Sequence, residues 1–264
     1  MAAPLTLASS SPRRKELLEK LGFTVRVVQA GVDESQLQAE MPEDYAKRVA
    51  RAKVLAAVKR LQATLYTTDV EARRQLAQGN FQTQGGLAPG GPVALGGGGR
   101  GDDPVRWVIG ADTVVVVDDV IYGKPADTQE AREMLLRMSG REHLVITGFC
   151  LFDLKRNREG LQAVTTVVKF KDLTRSEIDQ YVSVGESMDK AGSYAVQGVG
   201  SYLVEYLRGS YTNVVGLPLC QVVEMMEEMG AREVLPWGGG YGSGGGYGSG
   251  GAGETEFHGR KGLG

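Results

Sequence analysis

Hydrophobic and polar positions along the chain change their spacing repeatedly, and each change marks a predicted element. Residues 4–8 form a short apolar run, the pattern of a buried strand. Ser11 suits a helix N-cap and Pro12 the first helical position. Leu17, Leu18 and Leu21 share a helical face, and Gly22 can end that helix. Residues 23–28 alternate like a second strand. Over 42–61, Tyr45, Val49, Val54, Leu55 and Val58 fall on or near one side, which predicts a helix.

The second half continues the alternation. Residues 107–117 are strongly strand-like; Asp118-Asp119 turns the chain and 120–122 returns. Thr128 is expected to cap a helix over 129–138, ended by Ser139-Gly140. Residues 143–153 and 164–170 read as two strands, joined as a hairpin through 155–160. Thr174 with Glu177 forms a capping box for a helix reaching residue 184. A strand over 202–206 and a helix over 217–229 complete the pattern. Strands and helices alternate throughout, so the class is α/β, and the hairpin makes the sheet mixed rather than purely parallel.

Two stretches break the pattern. Residues 62–104 contain GGLAPGGPVALGGGGRG, and 238–249 repeat GGGYGS. Such composition buries too little apolar area to offset its ordering entropy. The expectation is one domain over 1–235 with a flexible insertion at 62–104, followed by a disordered tail over 236–264. The remainder of the 264 residues is enough for one sizeable core.

Charge adds little at the scale of the whole chain. Thirty basic and 32 acidic residues give a net charge of -2, which argues against a nucleic-acid or membrane surface. No apolar run reaches the length of a membrane span. The tail offers Tyr241 and Tyr247 for base stacking but only Arg260 and Lys261 as cations, so no stable nucleic-acid binding is expected. Cys150 and Cys220 each sit in apolar runs and read as small buried hydrophobes in a reducing, cytoplasmic setting.

Candidate chemistry clusters in a few segments. Ser9-Ser10-Ser11-Pro12-Arg13-Arg14 places hydroxyls and guanidiniums at a helix N-terminus, where backbone N–H groups favour anions. It also fits a plain cap with solvated arginines. Asp112 interrupts the run Trp-Val-Ile-Gly-Ala-Asp-Thr-Val-Val-Val-Val. A carboxylate there is costly unless paired or metal-bound, and it suits a general base, an Mg²⁺ ligand or a strand-end cap. Gly110 beside it would let a ligand approach the backbone. Residues 188–198 form a polar glycine-containing loop in which Lys190 could neutralise phosphate and Gln197 read a base edge. Lys53, Lys124 and the pair Asp33-Glu34 are weaker candidates, each also explicable as a solvated side chain. His143 and His258 are the only histidines, so a Ser-His-Asp hydrolase is hard to build. There is neither a P-loop nor a GxSxG elbow. Oxygen ligands and cations around a phosphate remain, the pattern of metal-assisted phosphoryl chemistry.

Taken together, LASSSPRRKELL at 7–18, VIGADTVVVVDDVIYGKP at 108–125, GESMDKAGSYAVQGVG at 185–200 and NVVGLPL at 213–219 resemble the Maf family. The resemblance implies an inosine-triphosphatase-like α/β fold with two lobes around a cleft. It also implies hydrolysis of nucleoside triphosphates between the α- and β-phosphates with a divalent cation, Mg²⁺ or Mn²⁺. It makes Asp112 the proton acceptor and links Arg13, Thr113 and Gln197 to substrate choice. Ser9, Arg14, Lys53, Lys124 and Lys190 would bind phosphate or nucleotide, and Glu34, Asp112 and Asp189 the metal. SPRR, ADT and QG are similar to the dTTP/UTP subgroup rather than the 7-methyl-GTP subgroup. A non-catalytic nucleotide-binding regulator of division would use the same cleft, and a homodimer stays open.

Overall fold

The structure, a computed structural model, describes residues 3–29, 31–77 and 105–237, and side chains 65–77 are not described. The expected low-complexity segment from 78 to 104 and the tail from 238 onward, with Tyr241, Tyr247 and His258, lie outside the described residues.

One mixed sheet organises the chain. Its strands are β1 (Leu5–Leu7), β2 (Val25–Val27), β3 (Trp107–Val117), β4 (Val120–Tyr122), β5 (Glu142–Asp153), β6 (Arg158–Phe170) and β7 (Val204–Arg208). Spatial order is β2-β1-β3-β5-β6-β7, with β4 paired to β3. β1 runs parallel to β2 and β3, while β3, β5, β6 and β7 are successively antiparallel. Asp118 and Asp119, at φ 49° and 61°, make the left-handed two-residue turn that a tight hairpin needs.

β3 explains the longest apolar run in the sequence. Its alternate residues Trp107, Ile109 and Ala111 enter a core with helices α1 (Pro12–Lys20), α5 (Tyr211–Val215) and α6 (Leu219–Met229). Val108, Val114 and Val116 face the opposite way, against Tyr45, Val49, Val54 and Val58 of α2 (Pro42–Ala77). Val115 and Val117 join a third cluster with α3 (Thr128–Met138) and α4 (Arg175–Ser183). A strand covered on both faces has no polar side to alternate with.

Several expectations need correction. α2 continues to Ala77 instead of yielding to a loop at 62. Residues 62–77 hold Ala, Leu, Glu, Arg and Gln with no Gly or Pro, so nothing in them stops a helix. The N-cap of α3 is Asp127, not Thr128; its carboxylate accepts from Gln129 N and Glu130 N at 2.9 Å each. Ser11 is at the N-cap of α1 but makes no side-chain cap bond; Ser9 Oγ accepts its N–H at 3.2 Å instead. Cys150 is buried, whereas Cys220 is exposed on the first turn of α6. Trp237 packs edge-on against Phe23 with centroids 6.3 Å apart. The Thr174–Glu177 capping box is present as read, and the β5–β6 hairpin forms with β6 starting at Arg158, six residues before the expected strand.

Candidate active site

The sheet register creates the site. β1 pairs with β3 only at Val108 and Ile109, and β4 pairs with it only from Val115 to Val117. One edge of β3 is therefore uncovered over residues 110–114. Ile109 O accepts from Ala8 N on that side, so strand alternation turns the main-chain groups of Ala111 and Thr113 the same way. The gap opens into a cleft of about 680 Å³. The Ser9–Arg14 turn forms one wall and residues 189–191 and 194–197 the other. Ser9, Arg13, Arg14, Glu34, Lys53, Asp112, Thr113, Lys124, Asp189, Lys190 and Gln197 all line it.

Successive side chains of β3 leave on opposite faces of the sheet. Asp112 points toward α2, where Lys53 Nζ donates to its Oδ1 at 2.7 Å. The same ammonium lies 2.8 Å from Glu34 Oε1. Asp112 and Lys53 are only 7 % and 9 % exposed, so their mutual charge offsets a burial neither would tolerate alone. Tyr45 Oη, also on α2, donates to the Glu34 carbonyl at 2.7 Å and fixes the loop carrying that carboxylate. Burial pushes the Tyr45 phenol up to about 12, so it stays a donor at neutral pH.

Thr113 points to the other face, where Arg14 is buried. Arg14 Nε donates to Gly216 O at 2.7 Å, Nη1 to Ser9 Oγ at 3.1 Å and Nη2 to Thr113 Oγ1 at 2.9 Å. All three partners are neutral. Burial lowers the Arg14 guanidinium from its ordinary value, and the charge of Asp112 opposes that effect. The first turn of α1 contains no acidic residue, so a cation and a helix N-terminus face the cleft together.

The far wall supplies more charge. Lys190 Nζ donates to Glu186 O at 2.6 Å and Asp189 Oδ1 at 2.5 Å. Arg13 reaches Asp189 at 3.8 Å across the cleft. Burial works against the Asp189 carboxylate, but Lys190 and then Arg13 hold it below its usual range. Lys124 is exposed on the rim and Gln197 half-buried. Among the described residues, no three of His, Cys, Asp and Glu group to hold a metal. Asp189 answers to Arg13 and Lys190, and Glu34 and Asp112 share Lys53.

Residues 4–229 match the family described as Maf-like protein. The chain belongs to the Maf family. The dTTP/UTP pyrophosphatase of Geotalea uraniireducens is 41% identical over 229 residues, 87% of this chain and 96% of that one. Its namesake from Geobacter sulfurreducens is 41% identical over 229 residues, 86% and 97% of the two chains. A third, from Syntrophotalea carbinolica, is 38% identical over 227 residues, 86% and 85%. The four Maf segments picked out in the sequence account for most of the cleft. Tyr45 and Val145, which also line it, lie outside those segments and gave no such signal. Gly110, expected to admit a ligand, instead admits α2: a Cβ there would lie 2.8 Å from Val54 Cγ2 and 3.2 Å from Ala50 O. His143 sits outside the cleft, buried beside Phe170 and Tyr194.

Proposed function

We propose that this chain is a cytoplasmic pyrophosphatase that hydrolyses dTTP and UTP to the monophosphate and pyrophosphate, clearing modified pyrimidine nucleotides from the pool. The observation that carries the reading is the buried Asp112 on the open edge of β3, facing a cleft lined by Arg13, Arg14, Lys124 and Lys190. Three relatives of about 40% identity carrying the name dTTP/UTP pyrophosphatase support the substrate class. They favour it over 7-methyl-GTP.

The triphosphate lies against the α1 N-terminus and these cations, which stabilise charge building on the departing pyrophosphate. Asp112 orients a water toward the α-phosphorus and takes its proton as the new P–O bond forms. The bond from the α-phosphorus to the bridging oxygen breaks, and the electron pair leaves with pyrophosphate. Lys53 is the counter-charge of Asp112 before substrate arrives, and its flexible stem lets it move to a phosphate oxygen.

The donor chemistry fits a divalent cation. Glu34 and Asp112 carry hard oxygens on either side of Lys53, and Mg²⁺ is commonly held by one or two carboxylates plus substrate phosphates. Mg²⁺ or Mn²⁺ held by those two residues would neutralise charge on the phosphate oxygens. Asp189 takes no part in that pair, and its work is to hold Arg13 and Lys190.

The test is pyrophosphate release from a panel of triphosphates with Mg²⁺ or Mn²⁺, comparing the unsubstituted protein with Asp112→Asn. Turnover of dTTP falls about 10²–10⁴-fold in the variant while nucleotide binding persists. Near-full turnover in Asp112→Asn removes the proton-acceptor role. Binding with no pyrophosphate release from the unsubstituted protein makes it a regulator instead.

A further inference from the structure

The segment Asn213–Gly216 contributes no charged group to the cleft, yet its carbonyls sit behind two cleft residues. Gly216 O holds Arg14 Nε, and Asn213 O accepts from Thr147 Oγ1 at 3.0 Å. Thr147 Oγ1 in turn lies 2.9 Å from Thr113 Oγ1. Thr147 and Asn213 are fully buried. Asn213 is itself fixed, because its Nδ2 donates to Val145 O and Thr166 Oγ1 at 3.0 Å each. Turning its amide over would set a carbonyl oxygen against Val145 O, so that orientation is determined. Thr166 Oγ1 also bonds both Ser210 N and Ser210 O, closing the network on the β7–α5 connection.

The direction of every proton in this relay follows by counting. A carbonyl only accepts, so Thr147 spends its single hydroxyl proton on Asn213 O. Thr147 Oγ1 is then an acceptor toward Thr113. Thr113 therefore donates inward, at 2.9 Å, in preference to Gly216 O at 3.5 Å. One Thr113 lone pair receives Arg14 Nη2. A lone pair remains on a half-buried hydroxyl in the cleft lining, and no proton remains with it.

We propose that Thr147 and Asn213 are positioning residues that lock Thr113 as a pure hydrogen-bond acceptor, so that it selects a pyrimidine ring carrying N3–H. This deepens the proposed function and rests on it. A phosphate oxygen would meet Thr113 lone pair to lone pair, so the partner must be a donor. Uracil and thymine offer N3–H; cytosine presents a bare nitrogen at the same ring position. A site built for one hydrogen-bond polarity rejects the opposite one, because the mismatched group is left unpaired.

The test is steady-state pyrophosphate release by the full chain with UTP and with CTP, in the unsubstituted protein, Thr147→Val and Thr147→Ser. The two nucleotides share the same triphosphate and ribose. Thr147→Val removes the acceptor behind Thr113, leaves only the long 3.5 Å contact to Gly216 O to compete with the cleft for its proton, and lowers the UTP-over-CTP preference in kcat/KM at least about tenfold. Thr147→Ser restores the preference. Equal losses on both nucleotides, or an unchanged preference in folded Thr147→Val, overturn the relay. Should the valine variant not fold, Thr147→Ala is read by the same criteria. An unsubstituted protein that releases no pyrophosphate from either nucleotide overturns the proposed function instead. The relay is then judged from the ratio of UTP to CTP dissociation constants in the same variants.

Discussion

Gly148 on β5 sits directly beneath α2, and adding one methyl there tests how tightly the sheet sets the catalytic geometry. A Cβ at Gly148 would lie 2.3 Å from Ala46 C and 2.5 Å from Lys47 N. Those are backbone atoms and have no rotamer to escape into. Carbon atoms in contact settle at about 3.5 Å or more, so α2 must retreat by about 1.2 Å at this point. Overpacking of this kind costs about 1–3 kcal/mol. Taking about 2 kcal/mol, Gly148→Ala lowers Tm by about 4–8 °C in a domain of this size. The damage reaches the cleft because Lys53 lies two helical turns beyond Ala46 on the same face of α2. Its 2.7 Å bond to Asp112 loses register with the strand. A misplacement of about 1 Å at a reacting centre can cost about 10²-fold in rate, so kcat for dTTP falls by at least about tenfold. Calorimetry and pyrophosphate release measure the two effects separately. Gly31→Ala, where a Cβ meets nothing within 4 Å, is the control. An unchanged Tm in Gly148→Ala refutes the packing argument. A lowered Tm with unchanged kcat refutes its transmission to Lys53.

Two further outcomes follow from buried groups. Burial pushes His143 down to about 3, below its unfolded value of about 6.5, so between those limits only the unfolded chain binds the proton. Stability therefore falls as pH drops from about 6.5 toward 3, by about 1.4 kcal/mol per pH unit in the steep part. Denaturant titrations between pH 6 and 5 show that slope, and His143→Gln removes it; a slope that survives the substitution refutes the assignment. The two cysteines differ in access: burial pushes Cys150 up to about 12, while Cys220 is exposed. One thiol labels with a maleimide in the native protein and two after unfolding, and a native count of two refutes the burial of Cys150. That single reaction is slow at neutral pH, because a hydrogen bond to Glu224 raises the Cys220 thiol.

Legibility in the sequence followed how local each signal was. β3 could be read because its residues are apolar on both faces, and Asp112 stood out as the one carboxylate inside that run. The α4 cap could be read because both partners lie within one turn. Asp127 lost to Thr128 because adjacent residues both suit a cap, and only geometry chooses between them. Gly110 and Gly148 carry no sequence mark of what they serve, since the helix they accommodate comes from residues 46–54. Thr147 was opaque for the same reason, and Asn213 was marked only as the first residue of a Maf segment; the meaning of each depends on a partner 66 positions away. Arg14 was legible as a cation, but the tertiary fold makes it a buried one held by neutral oxygens.

The uncovered edge of β3 belongs to a long strand buried at every position but Thr113, and this divides the cleft by how it can come apart. The floor that carries Asp112 is covered by core on both faces, so it is lost only when the whole domain melts. The part of the wall at 185–190, which carries Asp189 and Lys190, is a run of turns held by polar bonds around Glu186. Segments of that kind open locally, at a fraction of the global free energy. Warming would therefore open this wall well before it dismantles the floor that carries Asp112, and under the proposed function the thermal limit would be set by grip rather than by chemistry.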